Sequence, residues 1–169
     1  MASFHHVEIW LEHPAAELLA WRWLLDAIGL TLEARWDEGE SWATAEDGYL
    51  TLTASPNTRP GGHDRRRPGV NHVAFALGEA DAVDAVMEAA PDHGWQPLYQ
   101  ERYPWAGGPD HYAGWLENAQ GFKIELVAKR APRHHRSGAA AALTGEPPSG
   151  CAGGPGAVTA SRSAAALRC

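Results

Sequence analysis

His6, His72 and Glu125 are the residues of this chain whose types and settings promise chemistry. Each interrupts a short apolar alternation: FHHVEIWL at 4–11, VNHVAFAL at 70–77 and GFKIELVA at 121–128. Side chains two apart on a strand share one face. His6, Glu8 and Trp10 therefore lie opposite Val7, Ile9 and Leu11, His72 lies opposite Val73, Phe75 and Leu77, and Glu125 lies opposite Phe122, Ile124 and Leu126. Two imidazoles and a carboxylate on strand faces turned away from the core suit a divalent metal with open coordination positions. His5 has the opposite parity and reads as structural.

Such a metal binds neighbouring substrate oxygens as a Lewis acid, and proton transfer beside it needs a base. Glu8 on the His6 face is one candidate. His111 and Tyr112 are others; being adjacent they diverge, so at most one enters the cavity, with His111 preferred. Among the eight tryptophans, Trp10 shares the His6 face, and Trp42, Trp105 and Trp115 are candidates to wall a flat or aromatic substrate or a dimer seam. Arg102 and Tyr103 belong to RYPWAGGPDHY, 102–112, which reads as a long surface connection or as a lid hinged at Gly107 and Gly108.

These residues are placed by a loose internal repeat. Each histidine strand precedes a helical stretch, PAAELLAWRWLLDAIG and EADAVDAVMEAAPDHG, with Pro14 at a first helical position and Gly29 and Gly94 at the stops. Three strand-like pieces follow each helix: TLEARW, ESWATAE and GYLTLTA, then QPLYQERY, DHYAGWLEN and GFKIELVA. One unit alone leaves a sheet face uncovered, so two are expected to pair. The expected class is α+β: paired βαβββ modules, about 4–55 and 70–128, forming a curved mixed sheet around a metal-binding cavity, helices outside.

Composition bounds the rest. Residues 1–128 carry 8 Lys and Arg against 20 Asp and Glu, net −12, whereas 129–169 carry 6 against 1, net +5. An acidic domain disfavours nucleic acid, which is bound through clustered cations, and Arg65-Arg66-Arg67 reads as a solvated loop. No apolar run approaches the ~20 residues of a membrane span, and no signal peptide is evident, so a cytoplasmic location is expected. Residues 1–129 form the expected domain; 130–169, rich in Ala, Gly, Pro and Ser, is too poor in large apolar residues to fold and is expected to be disordered.

FHHVEIW, PGVNHVAFAL and HYAGWLENAQGFKIELVA, in this order, resemble the vicinal oxygen chelate superfamily of glyoxalases, fosfomycin-resistance enzymes, extradiol dioxygenases and bleomycin-binding proteins. The resemblance covers residues 4–128. It implies metal ligands at His6, His72 and Glu125, frequent homodimers, and a divalent ion (Fe, Zn, Ni, Mn or Mg) serving lyase, isomerase or dioxygenase chemistry on a small substrate with adjacent oxygens. Matching Gly48 with Gly121 puts Leu52 where a fourth ligand often stands, and a slip of one residue would offer Thr51 or Thr53, both poor substitutes, so three protein ligands are expected. Glu8 and the acidic domain argue against a phosphonate substrate. The alternative is a metal-free protein that sequesters a drug.

Overall fold

The computed structural model describes residues 4–130; the low-complexity tail expectation lies outside them. The order is β1 (His6–Trp10), α1 (Pro14–Ala27), β2 (Thr31–Trp36), β3 (Gly39–Ala43), β4 (Tyr49–Thr53), β5 (Val73–Glu79), α2 (Ala80–Ala89), β6 (Trp95–Leu98), β7 (Ala113–Asn118) and β8 (Lys123–Arg130), with short 3-10 turns at Ala90–His93 and Gln100–Arg102. The expected βαβββ repeat is thus present twice. Each module is a four-stranded mixed sheet, β1-β4-β3-β2 and β5-β8-β7-β6, in which the first strand runs parallel to the last.

Local chemistry explains the helix ends. Pro14 occupies the first turn of α1, where its missing N–H costs nothing, and Glu17 reaches back so that Oε1 accepts the His13 backbone N–H at 2.6 Å. Gly94 takes φ 84 to end the turn after α2. Two strands of the second module stop well short of their sequence pieces. QPLYQERY leaves the ladder after Leu98, because Tyr99 turns left-handed (φ 58) into the 3-10 turn; DHYAGWLEN pairs only from Ala113 onward. Arg102, Tyr103, His111 and Tyr112 therefore project from turns.

The core lies between the sheets and the helices. Val83, Val86 and Met87 of α2 cover the Leu116, Ile124 and Leu126 face, and Gly114 leaves room for the Met87 thioether, with which a β-carbon there would overlap. Helix α1 fastens the modules together. Trp21 stands edge-on to Trp95 and Phe122 of the second module, and Trp95 Nε1 donates to Ala20 O at 2.9 Å. Toward its own sheet, Arg22 Nε donates to Glu40 Oε2 at 2.9 Å, while Trp42 Nε1 donates to Oε1. Glu40 is fully buried, so these donors are what make its charge tolerable there.

Register corrects one expectation. His6 pairs with Tyr49 and Glu8 with Thr51 on β4, whereas Ala74 pairs with Glu125 on β8. Laid module on module, His6 on His72, Thr51 rather than Leu52 corresponds to Glu125; Leu52 is fully buried on the core side. The reason is the turn before each strand. In the second module Gly121 takes the left-handed position (φ 85), but in the first that position falls on Asp47 (φ 51), one residue before Gly48. Like leucine, threonine supplies no carboxylate at this position.

Candidate active site

Glu125 rises from the middle of β8, facing away from Ile124 and Leu126, and its carboxylate is held between two imidazoles. His72, immediately before β5, brings Nε2 to 2.9 Å from Oε2; His111, at the end of the 102–112 segment, brings Nε2 to 2.6 Å from Oε1. The carboxylate is largely buried and the histidines are partly exposed. A ring nitrogen and a carboxylate oxygen attract at this range only with a proton or a metal cation between them.

The orientation of His72 bears on that choice. Its Nδ1 lies 3.0 Å from Asn71 Oδ1, and Asn71 Nδ2 donates to Arg65 O at 3.1 Å. An amide whose N–H₂ is committed to a carbonyl presents oxygen to the ring, so Nδ1 carries the proton and Nε2 is left toward Glu125. Metal-binding histidines are commonly fixed by such a partner. Asn71 escaped the sequence reading; its only signal there is its place directly before His72.

Gly107 packs where a β-carbon would overlap the His111 ring and crowd Trp115, and the His111 and Trp115 rings are 6.1 Å apart. Trp115 pairs with Glu125 across β7 and β8 and stands edge-on to Tyr99. On this face the site therefore has an aromatic wall. Tyr112 turns the other way: its hydroxyl donates to Asp84 Oδ1 of α2 at 2.7 Å, and Tyr103 donates to the same oxygen. Burial and then the Asp84 bond raise both phenols, Tyr112 to about 12. Trp105 stacks edge-on against Tyr112. Residues 102–112 run as hydrogen-bonded turns anchored at Tyr103 and closed by Ala113 N donating to Pro104 O.

His6 is placed differently. It is exposed on β1, stacked on Tyr49 at 4.9 Å, with Nδ1 2.9 Å from His5 Nδ1. It shares with His72 a groove of about 690 Å³ between the facing edges of β1 and β5, outside the direct contacts of Glu125. Among the described residues no three His, Cys, Asp or Glu side chains are arranged to hold a metal ion as they stand. Glu8 is exposed and accepts from Trp10 Nε1 at 2.6 Å; Trp42 is buried on Glu40; Arg102 is exposed, paired with Glu101 and lying over the Tyr99 ring. The arginine run forms no anion clamp, since Arg65 pairs with Glu117 at 2.6 Å and the other two with Asp64.

Residues 5–115 match the profile of the glyoxalase/bleomycin resistance protein/dioxygenase superfamily. The chain belongs to this superfamily. It is 35% identical over 126 residues to the Bacillus subtilis protein YqjT, covering 73% of this chain and 97% of that one. A glyoxalase candidate from Bacillus halodurans superposes with a TM-score of 0.68 at 33% identity, covering 76% of this chain and 95% of the other. A glyoxalase/bleomycin resistance protein from Albidiferax ferrireducens gives 0.60 at 20% identity, over 75% and 98%. The fosfomycin resistance protein FosX of Listeria monocytogenes, bound to Mn(II) and a dihydroxypropylphosphonic acid, gives 0.53 at 12% identity, over 76% and 90%, a likeness of fold alone. Superfamily members of this kind bind small molecules. Among the described residues no helix is long and apolar enough to cross a membrane.

Proposed function

We propose that this member is a divalent-metal-dependent enzyme acting on a small substrate that chelates the ion through adjacent oxygens. The observation that carries the reading is the pairing of His72 with Glu125, ring nitrogen to carboxylate, with Asn71 fixing the ring so that Nε2 faces the carboxylate. In this reading His72 and Glu125 are ligands, and His6, which lines the groove it shares with His72, is the third. The donor set fits Fe, Zn, Ni, Mn or Mg. A bound ion would supply Lewis-acid stabilisation of a substrate oxyanion.

The chain's own groups do the remaining work. His111 Nε2, held at Glu125 and braced by Gly107 and Trp115, is placed to hold a proton beside the substrate; Trp115 offers a flat wall, and Trp10 and Glu8 line a cavity together with His72. Exposed Phe4, Trp10 and Trp36 support a homodimer, which with a cytoplasmic setting completes the reading. Metal-free sequestration between tryptophans is less favoured, because Trp42 and Trp105 are engaged inside the fold.

Reaction type is decided by loading the purified protein with single metals. Oxygen uptake with catechols in the Fe(II) form assigns oxygenation, and turnover of 2-hydroxy-carbonyl substrates by a Ni or Zn form without oxygen assigns isomerase or lyase chemistry. Failure to bind any divalent metal overturns the proposal.

A further inference from the structure

We propose that Arg65 is a positioning residue for His72, acting through its own main chain from the loop that joins the two modules. The inference rests on the reading of His72 as a metal ligand. It gives a task to the member of the arginine run that reaches the second sheet; Arg66 and Arg67, 87% and 83% exposed, pair with Asp64 of the loop itself.

The side chain of Arg65 is tied to the sheet that carries the site. Its Nε donates to Glu117 Oε1 at 2.6 Å. Glu117 pairs with Lys123 and Trp115 with Glu125 across β7 and β8, so Glu117 and Glu125 stand on one sheet face, a strand and two residues apart. With side chains 25% and 30% exposed, the pair escapes the full screening that makes surface ion pairs weak. The loop is seated at a second point. His63 N–H donates to Gln120 O at 2.8 Å, its ring stacks on Phe122 at 4.8 Å, and Gly121 leaves no room for a β-carbon beside His63 O. His63 Nε2 also donates to Val70 O at 3.0 Å, which closes 63–70 into a loop with both anchors inside it.

From Arg65 the connection runs back to the site. Arg65 O accepts from Asn71 Nδ2 at 3.1 Å, Asn71 Oδ1 lies 3.0 Å from His72 Nδ1, and His72 Nε2 lies 2.9 Å from Glu125 Oε2. Glu117, Arg65, Asn71, His72 and Glu125 thus form an unbroken run of contacts that leaves and rejoins the same sheet face. The Arg65 side chain holds its own carbonyl in place, the carbonyl holds the Asn71 amide, and the amide holds the ring. A partner that fixes a ligating imidazole tunes metal affinity, so releasing Arg65 from Glu117 loosens His72 without touching any ligand. The sign separates this role from bulk charge: removing a cation near a divalent ion by itself strengthens the ion's binding, whereas loss of positioning weakens it.

The test is Arg65→Met in the whole chain, which keeps the stem and loses the guanidinium. Mn(II) affinity by calorimetric titration is expected to fall about tenfold, the low end for loss of a ligand support. The same change made on Asn71→Ala is expected to cost nothing further, because the route through the amide is already cut. NMR couplings of the His72 side chain in metal-free protein should show one rotamer in the parent and averaging in the variant. Parent-like or tighter Mn(II) binding, an equal loss on the Asn71→Ala background, or a single His72 rotamer in folded Arg65→Met overturns the proposal. Should Arg65→Met fail to fold, Arg65→Lys, which keeps the charge and loses the guanidinium fork, carries the same measurements. Should the parent bind no divalent metal, the ligand reading falls, and the metal-free rotamer comparison still decides whether Arg65 holds His72.

Discussion

His72 Nε2 lies 2.9 Å from Glu125 Oε2, so a residue at the mouth of β5 and one in the middle of β8 share a single electrostatic unit. The parallel β5–β8 ladder fixes their spacing, and Asn71 fixes the ring. Replacing Asn71 by Ala removes the Nδ1 partner without touching either ligand. Divalent-metal affinity is expected to fall by about 10–100-fold, the usual effect of losing such a support, with thermal stability little changed; calorimetric titration of the metal reads it.

Gly107 is small because His111 needs its space. Gly107→Ala is expected to displace the imidazole from Glu125 and Trp115, lowering turnover about tenfold or more while leaving metal affinity near that of the parent. A kcat measured beside metal affinity separates the two effects. Equal turnover in the variant would remove His111 from the chemistry.

Tyr103 and Tyr112 bind Asp84 on the core side of the second sheet, away from Glu125. Tyr112→Phe should cost about 1.5–3 kcal/mol, the range for a hydrogen bond to a charged group, without altering metal binding. Its phenol is raised in the folded protein to about 12 from 10.0. For a raised group the contribution is complete below the unfolded value and is lost as pH climbs through the folded one. The stability gap between parent and variant should therefore be constant up to about pH 10 and shrink above it, as urea unfolding across that range would show.

The Gly114–Met87 contact sets how closely α2 lies on β7. Gly114→Val forces the thioether and the helix outward, and overpacking of this kind typically costs about 1–3 kcal/mol. A lowered unfolding midpoint with metal binding retained is the expected result.

Much of the fold was legible because strand parity and helix ends are local. Val7 and Ile9, or Ile124 and Leu126, announce their faces within a few residues, and Pro14 and Gly94 announce where helical chain begins and stops. The module match was not legible at Gly48, because an aspartate, Asp47, occupies the left-handed turn position that glycine holds at Gly121. His111 could be nominated but not placed by parity, since it stands ahead of Ala113 where pairing begins. Asn71 gave no periodic signal, because it acts by contact with its neighbour.

The most direct measurement is metal content. Chelator-stripped protein titrated with Mn(II), Zn(II) and anaerobic Fe(II) should take up one ion per chain, and His72→Ala and Glu125→Ala should each abolish tight uptake while the circular dichroism stays that of the parent. Uptake undiminished in either folded variant, or none by the parent, would contradict the account.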